Sequence, residues 1–138
     1  MDPITKIVLS IFGKDYPVIS YNIGFSQNHN ANTGKVVGQP VGSLLDVSVV
    51  SDNENDLIQW MIGTAEQEDG SIEFYYDDQL VKSINFSEAY LVGYHQNMDE
   101  VKDSNGNQQR VISEDLSISY KVIDFDGELK HDKEENNS

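Results

Sequence analysis

Residues 19–26 read ISYNIGFS, a run in which every second residue is apolar. Side chains alternate between the two faces of a β-strand, so this period of two predicts a strand with one buried face. The same period returns in two more places: Leu45, Val47 and Val49, and then Leu116, Ile118, Tyr120 and Val122. Residues 4–12 are apolar on both faces, which fits either a central strand or a strand whose outer face meets another subunit. The chain is therefore predicted to be mainly β.

Short polar turns are expected to join neighbouring strands into antiparallel hairpins. Residues 13–15, which begin with a glycine, separate the first two strands. Residues 77–79 separate a strand at 72–76 from one at 80–86, and residues 89–95 continue as a further strand. Hairpins in this order predict an antiparallel sheet.

One segment has helical spacing. Leu57, Trp60 and Met61 fall at positions i, i+3 and i+4, which places them on one face of a helix. The polar residues 51–53 offer an N-cap, and Gly63 a stop, for a helix of roughly three turns. We expect these three apolar side chains to anchor the helix against the sheet.

Three stretches lack a clear period. Residues 28–42 are polar and contain three glycines and a proline, so they predict a long extended loop. Residues 98–109 are rich in Asp, Asn and Gln and predict a solvated, mobile connection. The division we expect is a single β-barrel domain over 1–127 and a polar, mobile tail over 128–138.

Composition excludes several classes of function. The chain has 138 residues, 24 acidic and 9 basic side chains, a formal charge of −15 and no cysteine. It has no basic cluster, so nucleic acid is not expected as a partner. No apolar run reaches the roughly 20 residues that span a bilayer, and no signal peptide is recognised, so membrane insertion is not expected and synthesis is expected in the cytoplasm.

No reaction chemistry is predicted, and neither a catalytic residue nor a cofactor or metal is expected. His29, His95 and His131 are not at metal-ligand spacing. The acidic stretches 52–56 and 103–107 begin like calcium loops but lack the glycine that such a loop needs at its sixth position. The phosphate-loop, dinucleotide and nucleophile-elbow motifs are missing as well.

The order of the elements resembles a known family. Two long strands, a glycine-rich loop and a further strand come first. They are followed by the helix, which contains LIQWM at 57–61. After the helix come DGSI at 69–72 and the segment 86–94, which has a Phe-Xaa-Xaa-Ala-Tyr pattern. Over about residues 4–122 this resembles the Hcp-like tube proteins of type VI secretion, in particular their TssD branch in Bacteroidetes. The Asn-rich stretch 98–109 and the acidic tail depart from that pattern.

The resemblance implies a compact antiparallel β-barrel with one short flanking helix. Six copies would form a ring, and rings would stack into a tube that carries effectors in its lumen. Its partners would be further copies of the chain, a contractile sheath, spike and baseplate proteins, and the secreted effectors. The protein would leave the cell through the type VI machine without a signal peptide.

The long loop resembles the arm by which such proteins reach the next ring. Its candidate assembly residues are His29, Asn32, Gly34, Lys35, Val36, Val37, Gln39, Pro40 and Val41. Three other functions stay open: a monomeric carbohydrate- or ligand-binding β-module with exposed aromatic side chains, an effector-specific chaperone paralogue of the tube protein, and a small hydrolase with paired acids. The carboxylates for such a hydrolase would be Glu73, Asp77, Asp78 and Glu88.

Overall fold

The computed structural model describes residues 3–29, 36–42, 44–63, 66–125 and 129–132, with side chains over 3–25, 44–63 and 66–125. Within these residues the chain forms ten strands and one helix. They are β1 (Lys6–Ile11), β2 (Lys14–Asn22), β3 (Phe25–His29), β4 (Val36–Gly42), β5 (Leu45–Val50), α1 (Asp56–Ile62), β6 (Glu68–Tyr76), β7 (Gln79–Lys102), β8 (Gln108–Ser119), β9 (Val122–Phe125) and β10 (Leu129–Asp132).

Six of the strands close on themselves. The long strand β7 pairs with β6 through its first half and with β8 through its second half. The order β6–β1–β2–β5–β8 therefore starts from β7 and returns to it, with every pair antiparallel. β9 and β10 extend the sheet beside the first half of β7. The predicted fold class, an antiparallel barrel with one short flanking helix, is confirmed.

The barrel interior holds the alternating apolar residues of its strands. The inward faces predicted for β5 and β8 are confirmed over Leu45, Val47, Val49, Leu116 and Ile118, which are all buried. The predicted run 116–122 is not one strand, because β8 ends at Ser119 and Val122 begins β9. β1 is a central strand between β2 and β6. Leu57 and Trp60 of α1 belong to the same buried cluster, so the helix packs against the barrel interior.

Two tight turns set the register of the first hairpins. Phe12 and Gly13 both have positive φ, and so do Asp77 and Asp78. Two such residues in succession form the type I′ turn, whose twist matches that of the strands it joins. Both predicted hairpins are confirmed. The first turn is Phe12–Gly13, so Lys14 and Asp15 of the predicted turn already belong to β2, and Gln79 of the second predicted turn belongs to β7.

The DGSI segment has a physical role at the point where β6 leaves β7. Glu88 adopts a positive φ of 49°, and its backbone N–H donates to Asp69 Oδ1 over 2.8 Å. Gly70 lies under the ring of Phe86, where a Cβ atom would stand 2.7 Å from Phe86 Cζ and 3.0 Å from the Ser10 carbonyl oxygen. The Asp69 carboxylate therefore stabilises the positive-φ conformation of Glu88. The absence of a side chain at Gly70 leaves room for the ring of Phe86.

We expect Gly70→Ala to lower the free energy of unfolding by about 1–3 kcal/mol, because the added methyl overpacks a site bounded by backbone. Urea unfolding followed by circular dichroism measures it. Adding Phe86→Leu to Gly70→Ala should cost less than the sum of the two single changes, since the clash is between these two residues. A simple sum would contradict the expected clash.

The stretch 19–26 differs from its prediction. It is not one strand, because β2 ends at Asn22 and β3 begins at Phe25. The register shifts between Val18 and Ser20, and Ile19 and Tyr21 remain 45% and 38% exposed. The prediction of a single buried face is wrong here. Alternation shows that the apolar side chains lie on one face of a strand, but it does not show that other residues pack on that face.

The helix is shorter than predicted, with seven residues. The polar residues before it do not cap it: Ser51 Oγ and Asp52 Oδ1 accept hydrogen bonds from the backbone N–H groups of Asn53 and Glu54, in the turn that leads to the helix. The position before the helix is Asn55, which makes no capping hydrogen bond through its side chain. The predicted cap is therefore wrong.

Two segments predicted to be irregular contain strands. Residues 98–102 and 108–112 continue β7 and β8 in register, so only residues 103–107 form a connection. β10 lies inside the predicted tail 128–138 and pairs with β9, so the sheet runs past residue 127. Residues 133–138 lie outside the described residues. Within the described chain, no helix is long and apolar enough to span a membrane.

Candidate assembly site

The described residues of the stretch 28–42, predicted to be an extended loop, belong to the two strands of a β-hairpin: 28–29 to β3 and 36–42 to β4. We name this hairpin the arm: β3 and β4, paired from Phe25↔Gly42 to His29↔Val36. Within the described residues these two strands form a sheet of their own, separate from the barrel sheet. The register shifts between Ser26 and Asn28, opposite the stretch that contains Pro40, which has no N–H to donate.

The structure places most of the predicted assembly residues in the two strands of the arm. His29 ends β3, and Val36, Val37, Gln39, Pro40 and Val41 belong to β4. Asn32, Gly34 and Lys35 lie outside the described residues. The root of the arm contacts the barrel through Phe25, whose ring packs edge-on against Phe125 of β9 with 6.2 Å between ring centroids.

A second hairpin projects from the barrel. We name it the ribbon: residues 98–112, the ends of β7 and β8 beyond their contact with β5. Its turn is closed by Asp103, whose Oδ1 accepts hydrogen bonds from the backbone N–H groups of Asn105 and Asn107, each over 2.9 Å. This carboxylate, considered above as the start of a calcium loop, thus has a structural role in the turn.

The helix anchor differs among its three predicted members. Leu57 and Trp60 are buried, whereas Met61 is 37% exposed and lies at the margin of the core. The indole N–H of Trp60 donates to the carbonyl oxygen of Glu66 over 2.9 Å, and its ring meets Phe12 edge-on. Trp60 therefore joins α1 to the turn between β1 and β2.

An ion-pair cluster fixes the start of α1. Lys14 Nζ lies 2.9 Å from Asp52 Oδ2 and 2.5 Å from Asp56 Oδ2. Hydrogen bonds to these two carboxylates, led by Asp56, raise the pKa of Lys14 above its ordinary value. The nearby hydroxyl of Tyr16 is buried with no hydrogen-bond partner among the described residues, and burial raises the pKa of Tyr16 to about 12.

Glu114 is an acidic side chain inside the barrel, with 2% of its surface exposed. Its Oε1 accepts hydrogen bonds from Tyr94 over 2.9 Å and from Ser51 over 3.4 Å. Burial raises the pKa of Glu114, the charge of Asp52 adds to the rise, and the two hydrogen bonds oppose it. Because the carboxyl loses its proton less readily in the folded chain, its ionisation weakens the fold.

The free energy of unfolding is therefore expected to fall as pH rises from the ordinary glutamate pKa of 4.5 through the raised value. Glu114→Gln should lack this pH-dependent loss. Glutamine keeps an oxygen for the Tyr94 hydroxyl. The urea midpoint measured at intervals from pH 4 to neutrality compares the two proteins. Tyr94→Phe should make stability fall more steeply with pH, because it removes a hydrogen bond that favours the charged form of Glu114. Equal slopes for Glu114→Gln and the parent chain would contradict this account.

The other candidate groups do not come together. His95 is exposed on β7, while the side chains of His29 and His131 lie outside the described residues. In the described part of the chain, no three histidine or acidic side chains form a group that could hold a metal ion.

The four carboxylates considered for a hydrolase have separate roles. Asp77 and Asp78 form a turn, Glu73 accepts a hydrogen bond from Tyr75, and Glu88 pairs with Lys121 over 3.4 Å. Among the aromatic side chains of β6 and β7, Phe74 and Phe86 are buried in the core and therefore do not form an exposed ligand platform.

The comparisons with known proteins agree on one family. The family profile described as "Hemolysin coregulated protein Hcp (TssD)" matches residues 4–134. The structure of Hcp1 from Flavobacterium johnsoniae is similar with a TM-score of 0.74 and 29% sequence identity, over 92% of this chain and 98% of that one. A search of curated proteins gives no significant match.

Two further solved structures share the fold at lower identity. Hcp1 from E. coli EAEC 042 has a TM-score of 0.61 and 15% identity, over 91% of this chain and 95% of that one. A chain of the sheath-tube complex of the extracellular contractile injection system PVC, in its extended state, has a TM-score of 0.55 and 15% identity, over 91% of this chain and 90% of that one.

Proposed function

The chain belongs to the Hcp (TssD) family and is a structural tube subunit of type VI secretion; from that premise we propose that it forms hexameric rings which stack through the arm. The resemblance stated from the sequence is confirmed. A structural role agrees with the geometry described above, in which the acidic side chains support turns and bends. The monomeric binding module, the chaperone paralogue and the hydrolase gain no support.

The observation that carries the proposal is the match over nearly the whole chain, together with an arm that is separate from the barrel. A closed ring needs heterologous contacts around a rotation axis, and stacking needs one face of the ring to grip the next. A hairpin that lies outside the core can supply the second contact without disturbing the fold. The assembly residues of β3 and β4 are proposed for that contact.

The partners beyond the chain itself are part of the proposal. Stacked rings would lie inside a contractile sheath, end at a spike and start from a baseplate. Effectors would travel in the lumen, and the protein would leave the cell with them through the type VI machine, without a signal peptide. A chain of the PVC sheath-tube complex shares this fold, which is compatible with a place inside a sheath.

Light scattering coupled to size exclusion tests the ring. The expected result is a particle of about six times the chain mass of 15.5 kDa. Negative-stain images of the same fraction should contain annular particles of one diameter. A monodisperse monomer at every concentration would overturn the proposal.

A further inference from the structure

The turn of the ribbon contains an asparagine followed by a glycine. Asn105 and Gly106 form the one Asn-Gly pair in the sequence. Asparagine is chemically labile, because the backbone nitrogen of the next residue can attack its side-chain amide carbon. Glycine favours this attack, since it has no Cβ to obstruct the nitrogen and can adopt many backbone conformations. The sequence therefore marks the ribbon turn as a candidate site of deamidation.

The structure leaves this pair open to solvent. Asn105 and Gly106 are both exposed, and a Cβ atom added at Gly106 would meet no atom within 4 Å. Gly106 has a φ of 82°, in the region that favours glycine. Among the described residues, none forms a hydrogen bond with the side-chain amide of Asn105. This amide is therefore able to turn toward the nitrogen of Gly106.

A related pair in the barrel is shielded. Aspartate before glycine can form the same cyclic imide, and the sequence has two such pairs, at residues 69–70 and 126–127. The second pair lies outside the described residues. In the first pair, Asp69 Oδ1 accepts the N–H of Glu88, and Gly70 lies against the ring of Phe86. Packing thus separates the ribbon turn from a barrel pair of similar sequence.

Hydrogen bonds to Asp103 hold the ribbon turn. The N–H of Gly106 donates to the main-chain oxygen of Asp103 over 3.0 Å, so the nitrogen must leave this bond before it reacts. The N–H groups of Asn105 and Asn107 donate to Asp103 Oδ1. All of these bonds lie in an exposed turn, and exposed turns open locally at a small cost in free energy. The folded ribbon should therefore slow the reaction without preventing it.

We propose that Asn105 is a site of spontaneous deamidation that alters the ribbon turn as the protein ages. The nitrogen of Gly106 loses its proton and bonds to Cγ of Asn105, while the Cγ–Nδ2 bond breaks and ammonia leaves. Water then opens the imide ring. Opening at Cγ gives aspartate, whereas opening at the main-chain carbonyl carbon gives isoaspartate, in which the chain continues through Cγ. Water is the co-reactant, and no enzyme is required.

Both products change the turn. Each adds a negative charge near the Asp103 carboxylate, and like charges repel. Isoaspartate also inserts a carbon into the main chain between the N–H groups of Asn105 and Asn107, so that Asp103 Oδ1 no longer fits both of them. The neighbouring strand pair, Lys102 with Gln108, should be weakened as a result.

Peptide mass spectrometry of the full chain, after incubation at mildly alkaline pH, tests the site. The expected result is the exchange of an NH₂ for an OH group at Asn105, with aspartate and isoaspartate peptides that separate by chromatography. Asn107 is the internal control, because it is exposed in the same turn but is followed by Gln108. Asn105→Gln is the matched variant and should stay unmodified, since its longer side chain would need a larger ring.

Hydrogen exchange measures the consequence for the ribbon. After incubation, the amides of residues 98–112 should exchange severalfold faster in the parent chain, and Asn105→Gln should show no such change. Asn105→Asp adds the charge alone, so its effect should be smaller than that of the aged parent chain.

The chain unfolded in guanidinium chloride provides the reference for the chemistry. If Asn105 reacted there but stayed intact in the folded protein, or if Asn107 reacted as fast as Asn105, the proposed site would be overturned. Modified Asn105 with unchanged exchange in the ribbon would overturn the effect on the turn.

Discussion

Replacing Trp60 by alanine is expected to lower the free energy of unfolding by about 3–5 kcal/mol, the usual cost of removing a large buried aromatic side chain. Trp60 is 4% exposed, belongs to the core cluster and meets the ring of Phe12 with 5.8 Å between centroids. A domain of this kind has about 5–15 kcal/mol of stability in total, so the variant should be marginal at best. Urea unfolding followed by circular dichroism measures the loss.

Two neighbouring changes separate the contributions of the indole. Trp60→Phe keeps an aromatic ring near Phe12 but loses the N–H bond to Glu66, so it should cost clearly less than Trp60→Ala. Met61→Ala should have little effect, since Met61 is 37% exposed on the same helix. If Trp60→Ala and Met61→Ala proved equally mild, the helix would not depend on this anchor.

Deleting residues 36–41 is expected to abolish stacking while the barrel and the ring persist. The deletion removes nearly all of β4, which in the described residues pairs with β3 and with no strand of the barrel. Core burial should therefore be unchanged, so the thermal midpoint should shift little. Sedimentation measures the fraction of protein in tubes, and size exclusion measures the ring.

A matched variant keeps the chain length by replacing residues 36–41 with a glycine-serine segment. It should lose tubes as the deletion does, because the strand edge and the valines are absent from it. Tubes that form from either variant would show that stacking does not need the arm. Loss of the folded barrel in both would show that the hairpin belongs to the core.

The sequence predicts those elements whose pattern is set by burial. β5 and β8 alternate because one face of each lines the core, and both were located from that period alone. The two hairpins were located because short polar or glycine-containing segments stand between apolar runs, although the first turn lies at Phe12–Gly13, one residue before the predicted start at residue 13. The fold family followed from the order of these elements.

Elements held by backbone pairing outside the core leave little trace in the sequence. The ribbon is exposed on both faces, so its residues need no apolar period, and its strands exist because β7 and β8 continue in register from the barrel. The arm is similar: its strands pair with each other and carry a proline and glycines that predict a loop.

The burial of Glu114 was not predicted from the sequence. Glu114 is one of 24 acidic residues, and the one indication of its burial is that it falls on the inward side of the alternation that includes Leu116 and Ile118.

The length of β7 has a mechanical consequence. This one strand of 24 residues is hydrogen-bonded to β6 and β9 in its first half and to β8 in its second half. Ladder bonds run across the strands, so tension along β7 loads many of them together in shear instead of opening them one after another. A load along β7 would therefore be shared by both halves of the sheet at once, with no covalent crosslink between them.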